Sequence, residues 1–214
     1  GIIKYSVTLL NADAKITLQP YLDANVINED SNYKEIFWDE ISKGLTNNGG
    51  FLITKTNKLD FVVGHGMVCN VSLDGKSIAS ATSQDQSDKF VSCNYTQDVT
   101  SGKEFSITKY VAVISSLNSE KGNIQNAIQH SLDFGLSKGI NTLFKQHIEA
   151  WADIWIHSDI TVEGDVAAQQ GIRFNIFQLS QTYTGKDERL NIGPKGFTGE
   201  KYGGSTYWDT EAYC

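Results

Sequence analysis

Near residue 118 the hydrophobic period of this chain changes, and the kind of structure it can support changes with it. Residues 5–10, 15–22, 50–56, 61–73, 89–95 and 104–115 are short runs rich in Val, Ile, Thr and aromatic residues, bounded by Asn, Asp, Gly and Ser. Short strands at roughly regular spacing predict a β-sandwich. Asn47-Asn48-Gly49-Gly50 and Asp74-Gly75 have the composition of hairpin turns. Beyond residue 118, Ile124, Ala127, Ile128 and Leu132, then Ile140, Leu143, Phe144, Ile148, Trp151 and Trp155, recur at three- and four-residue steps. That spacing predicts two helices, with the break at Gly135 and Gly139 and the second ending at His157-Ser158-Asp159. After Ile160-Thr161-Val162, Asp165 is placed to cap a third helix, whose stripe of Ile172, Ile176 and Leu179 runs through Gln181. The expected organisation is a β domain over residues 1–118, a helical linker over 119–158 and the opening of a helical domain over 159–214.

A chain of 214 residues with 40% apolar and 20% charged residues has enough apolar content for one large or two small domains with a packed core. The formal charge of −7 and the lack of any basic block longer than two residues argue against nucleic acid or an anionic membrane as a partner. Cys69, Cys93 and Cys214 form neither a C-x-x-C pair nor a disulfide framework, and His65, His130, His147 and His157 have no metal-ligand spacing. No stretch reads as a signal peptide, and no apolar run approaches the roughly 20 residues of a membrane span. A reducing, cytoplasmic setting is the expectation, and Asn70-Val-Ser72 and Asn94-Tyr-Thr96 then match the glycosylation sequon by chance. Met67 is the only methionine, Gly1 opens straight into an alternating apolar run, and Cys214 closes without a turn signal. These ends read as those of an internal piece of a longer protein.

Residues 185–214 concentrate glycines, aromatic residues and carboxylates. A sugar offers C–H faces that pack on an aromatic ring and hydroxyls that bond to carboxylates, and Trp208 beside Asp209 supplies both from adjacent positions. A solvated turn over a buried Trp would explain the same four residues, Trp208-Asp-Thr-Glu211. Gly193, Gly196, Gly199, Gly203 and Gly204 favour the sugar site, because they permit close backbone approach. Asp209 and Glu211, two residues apart, would share one face of an extended segment. They could reach the roughly 6.5–9.5 Å carboxyl spacing of inverting glycosidases, yet an acid and a base must flank the scissile bond, which a same-face pair does not do. Arg189, Lys195 and Lys201 could hold phosphate among the glycines, but no G-x-x-x-x-G-K-[ST] spacing occurs, and a solvated basic loop explains them equally. Arg173 on the third helix is placed to bond to this tail loop.

Taken together, Pro20-Tyr-Leu-Asp-Ala-Asn, Asn28-Glu-Asp, Trp155 with Ser158-Asp-Ile, Gly164-Asp165, Gln170-Gly-Ile-Arg-Phe-Asn175, Asn191-Ile-Gly-Pro-Lys-Gly and Tyr207-Trp-Asp-Thr-Glu211 resemble the disaccharide phosphorylases of glycoside hydrolase family 65. The resemblance runs in order through essentially the whole chain. It implies a fold that is β then α: part of an N-terminal β-sandwich, a helical linker and the start of an (α/α)6 barrel, of which this chain would hold only the first helix and its following loop. A barrel opened there exposes an apolar face, so association or a partner is expected.

The implied reaction is phosphorolysis of an α-linked glucose disaccharide with inversion, and phosphate is a co-substrate; no metal or other cofactor is implied. The general acid, a glutamate, would lie beyond Cys214, as would the phosphate-holding residues, which demotes Lys195 and Lys201. No residue of this chain is then catalytic. Trp208 and Asp209 carry over as binders of the glycone, with Thr210, Glu211 and Arg173 as support for their loop. Many relatives carry a histidine where this chain has Ser205, and the Gly204-Ser-Thr-Tyr-Trp form is similar to the maltose-cleaving branch. Trehalose, kojibiose and nigerose remain open as substrates, as do hydrolysis on the same scaffold and a non-catalytic sugar-binding role. A homodimer is implied by the resemblance alone.

Overall fold

The structure, a computed structural model, describes residues 1–27, 34–182, 185–190, 193 and 208. Two compact units result: the first comprises Gly1–Val26 and Ile36–Leu143, and the second contains the described residues from Phe144 onward.

The first unit is a β-sandwich. Its larger sheet has the order β1 (Ile2–Thr8), β10 (Glu104–Ser115), β6 (Val62–Leu73), β5 (Gly49–Thr56), β4 (Trp38–Thr46), with β7 (Lys76–Ile78) pairing β6. The smaller sheet pairs β2 (Ala14–Leu18), β3 (Tyr21–Asp23) and β8 (Ser83–Ser87) with β9 (Phe90–Val99). Every pairing is antiparallel. Alternation along the strands decides which side chains enter the core. Met67, Cys69 and Val71 of β6 and Phe105 and Ile107 of β10 meet Val91, Cys93, Tyr95 and Val99 of β9 between the sheets. Each large side chain buried there contributes about 1.5–3 kcal/mol.

The opposite face of the larger sheet receives the first part of α1 (Ile124–Ser158). Ile124, Ile128 and Leu132 pack with Ile53, Val62, Tyr110 and Ala112. Glycines of β6 make the seat. A Cβ on Gly64 would lie 2.5 Å from Ile124 Cγ2, and one on Gly66 would overlap Ile128 Cγ2.

The expected sandwich is present, with differences in detail that have physical causes. Residues 15–22 form two strands rather than one, divided at Gln19-Pro20, where proline has no N–H to offer a ladder; its carbonyl instead accepts from Cys93 N at 3.0 Å. The strand β4 escapes a texture-based reading because Asp39, Glu40, Ser42 and Lys43 dilute it; it is an edge strand with a register shift between Glu40 and Ser42. Asn47-Asn48 and Asp74-Gly75 are two-residue turns, the latter with φ of 51° and 78°, as a type I′ hairpin requires.

The expected helix break is also narrower than the sequence suggests. Gly135 is helical, and only Gly139, at φ 71° and ψ 157°, leaves the helical region within α1. That combination is open to glycine and strained for other residues. In the second unit, α2 (Val166–Thr182) follows the predicted cap: Ala168 N donates to Asp165 Oδ1 at 2.9 Å. Among the described residues no helix is long and apolar enough to cross a membrane.

Candidate functional site

The second unit is organised by one polar face of α2. Gln169 and Arg173 stand one helical turn apart and both reach back to the segment that precedes the helix. Gln169 Oε1 accepts from Val162 N at 2.7 Å, and its Nε2 donates to Ile160 O at 2.8 Å. Arg173 grips Asp159 with two parallel bonds, Nε to Oδ1 at 2.9 Å and Nη2 to Oδ2 at 2.6 Å. The guanidinium beside Asp159 holds that carboxyl below its ordinary value, and Asp159 raises Arg173 in return. Trp151 packs on Phe177 with ring centroids 5.1 Å apart and lies 6.4 Å from Trp155. Phe174 and Phe177, with Gln170 and Arg173, line a shallow open depression of about 540 Å³ on α2.

Of the residues singled out in the sequence, Trp208 is 76% exposed among the described residues. Asp209, Thr210 and Glu211 lie outside the described residues, as do Lys195 and Lys201. Arg173 is engaged with Asp159, and the loop it was expected to brace falls largely outside the described residues. Arg189 binds Asp187 two residues away, at 2.8 Å from Nε and 2.6 Å from Nη2, and this pair brings the Asp187 carboxyl down to about 2. Sequence reasoning missed the pairing role of Asp159 and the clamp of Gln169. Asp159 meets Arg173 across 14 residues, and Gln169 meets Val162 and Ile160 across 7 and 9, each time from an irregular segment into a helix, where no single period applies.

Other chemically capable groups are occupied structurally. Burial pushes the Cys69 thiol up to about 12 and raises Cys93 too, so neither is a thiolate nucleophile. Burial also lowers His65 below the ordinary imidazole range. Among the described residues no group of three or more His, Cys, Asp or Glu is gathered for a metal ion.

Comparison with known proteins agrees with this architecture. Residues 1–154 match the glycosyl hydrolase family 65 N-terminal domain, and residues 173–214 match the family 65 central catalytic domain. The chain belongs to glycoside hydrolase family 65. It is 41% identical to maltose phosphorylase of Bacillus subtilis (strain 168), over 99% of this chain and 28% of that protein. It is 27% identical to alpha,alpha-trehalose phosphorylase of Thermoanaerobacter brockii, over 99% of this chain and 28% of the relative. A solved structure from the human microbiome, described provisionally as a kojibiose phosphorylase, superposes with a TM-score of 0.83 at 28% identity, over 100% of this chain and 27% of its own. The chain therefore spans less than a third of the length of these relatives.

Proposed function

We propose that residues 1–214 belong to an inverting maltose phosphorylase that converts maltose and phosphate to β-glucose 1-phosphate and glucose. The observation that carries this reading is the 41% identity to a maltose phosphorylase over 99% of the chain, against 27% to a trehalose phosphorylase over the same share. In the reaction a phosphate oxygen attacks the anomeric carbon from the side opposite the glycosidic oxygen. The bond to that oxygen breaks, and a glutamic acid beyond Cys214 supplies its proton. Phosphate is already an anionic nucleophile, so no carboxylate base is required and one general acid suffices.

In this scheme residues 159–214 open an (α/α)6 barrel, and the work of this chain is binding. Trp208 packs a pyranose face, its exposed indole being suited to that, and Asp209 accepts bonds from glucose hydroxyls. Thr210, Glu211 and Arg173 support the loop, Arg173 through its grip on Asp159. The same reading makes the whole protein a cytoplasmic homodimer with an α-linked glucose disaccharide and phosphate as its partners, no metal or organic cofactor, and no nucleic-acid or membrane surface.

A second reading within the family is supported by 31% identity over 56% of the chain to kojibiose hydrolase of Flavobacterium johnsoniae: water in place of phosphate. Assay of the full-length protein on maltose with and without phosphate separates the two. Phosphate-dependent release of glucose and β-glucose 1-phosphate is expected, and equal glucose release without phosphate would establish the hydrolase. Replacing Asp209 by Ala removes charge-assisted bonds of about 1.5–3 kcal/mol each, so loss of two should lower kcat/KM about a hundredfold or more. Unchanged kcat/KM in Asp209→Ala would remove that residue from the site.

A further inference from the structure

Within the first unit, α1 does not cover all of the sheet face on which it lies. Between its first three turns and the hairpin joining β4 to β5 is a partly enclosed cleft of about 450 Å³, a volume in the range of small-molecule sites. The sheet side supplies Phe51, Thr46 and Asn48, and the helix side Gln125, Asn126 and Gln129, with aliphatic side chains between them. Gly44 pairs with Phe51 across β4 and β5, and a Cβ there would lie 2.6 Å from Phe51 Cε1. The ring therefore leans over space that any other residue at position 44 would fill, which spreads an aromatic surface along the sheet.

The polar lining consists of side-chain amides and Thr46. Asn48 Nδ2 donates to Cys69 O at 3.3 Å, Asn126 Nδ2 to Asn123 Oδ1 at 3.1 Å and Gln129 Nε2 to Asp133 Oδ1 at 2.9 Å. With one N–H of each NH2 engaged by the protein, these amides keep a second N–H as donor and a carbonyl oxygen as acceptor, and Gln125 adds an amide with both functions. Among the described residues no Lys, Arg, Asp or Glu lines the cleft. An aromatic surface beside uncharged amide donors and acceptors is complementary to a ligand with C–H faces and hydroxyls, which both donate and accept, and it offers no cation to a phosphate or a carboxylate.

We propose that this cleft is a second, non-catalytic binding site for a neutral saccharide of one or two rings. The choice of a maltose-like probe rests on the proposed function; the cleft itself does not.

The test is equilibrium dialysis of the full-length protein against radiolabelled S-linked maltose, which neither phosphorolysis nor hydrolysis cleaves. Two molecules bound per chain are expected. Asp209→Ala should remove one, and Gln125→Ala combined with Gln129→Ala should weaken the other at least tenfold. Both glutamines are exposed on a helix, where alanine is well tolerated, and an unchanged melting temperature verifies the fold. One bound molecule per chain that Asp209→Ala abolishes would overturn the proposal, as would two that the double variant leaves untouched. A double variant that alters subunit assembly by light scattering while leaving saccharide binding intact would also overturn it, marking the cleft as a protein interface. Should Asp209→Ala have no effect on binding while the double variant removes one molecule, the cleft stands and the assignment of Asp209 fails.

Discussion

The two parts of α1 share a sequence pattern and differ in what becomes of it. Before Gly139, Ile124, Ile128 and Leu132 are 0%, 2% and 6% exposed; after it, Ile148 and Ile156 are 52% and 75% exposed. Hydrophobicity does not separate these residues, since all are large aliphatics. What separates them is the surface offered to each: Gly64 and Gly66 leave a hollow for the first set, and no described residue buries the second. The stripe of α2 has the same character, with Phe174 and Leu179 exposed at 58% and 47%. An apolar stripe states that a helix face requires a partner, and only a shaped partner converts it into stability.

The largest test of this contrast fills the hollow. Gly66→Ala places a methyl where Ile128 Cγ2 sits, and Ile128→Ala empties the same place; each should cost about 3 kcal/mol in urea unfolding. A cost under about 1 kcal/mol for both would mean that the helix docks without that fit.

Within the sandwich, Tyr95 is wholly buried and its hydroxyl has no protein partner among the described residues. Tyr95→Phe should therefore leave stability unchanged or raise it by about 1 kcal/mol, and a clear loss would reveal a bond to the hydroxyl.

A smaller effect belongs to the second unit. Because Arg173 lowers the folded carboxyl of Asp159 relative to the ordinary value of 3.8, its contribution is present above about pH 4 and is lost as the pH falls through the lowered value. Asp159→Asn should remove that part of the acid-induced loss of stability, read from melting temperatures across the acid range. An identical acid profile in the variant would show that the pair contributes nothing to folding. The least effect is expected of Ile156→Ala, within about 0.5 kcal/mol for the chain of residues 1–214. A cost matching Ile128→Ala would break the comparison outright.

Much of the fold is legible in residue order. The alternation of β6 and β10, the turn at Asp74-Gly75 and the cap at Asp165 follow from local chemistry that a linear reading can apply. Strands β4 and β8 are not legible, because an edge strand with one or both faces wet has little hydrophobic period to display; every residue of β8 is exposed. The candidate sugar site was read from Trp208 beside Asp209 and from the family resemblance, and family membership is established by the match over residues 1–154. The bidentate Arg173–Asp159 pair was not read, since its members lie in different elements and meet only after a turn of chain.

By itself the sequence determined the succession of β and helical parts, the special turn residues and the family to which the chain belongs, because each is set by neighbours along the chain. The tertiary structure alone decided which face of each strand meets which partner, which half of α1 is buried and where an amide-lined cleft remains. Those outcomes depend on residues far apart in sequence, such as Gly66 and Ile128, which compete for the same space, or Phe51 and Gln125, which line one cleft, and no local pattern records such meetings.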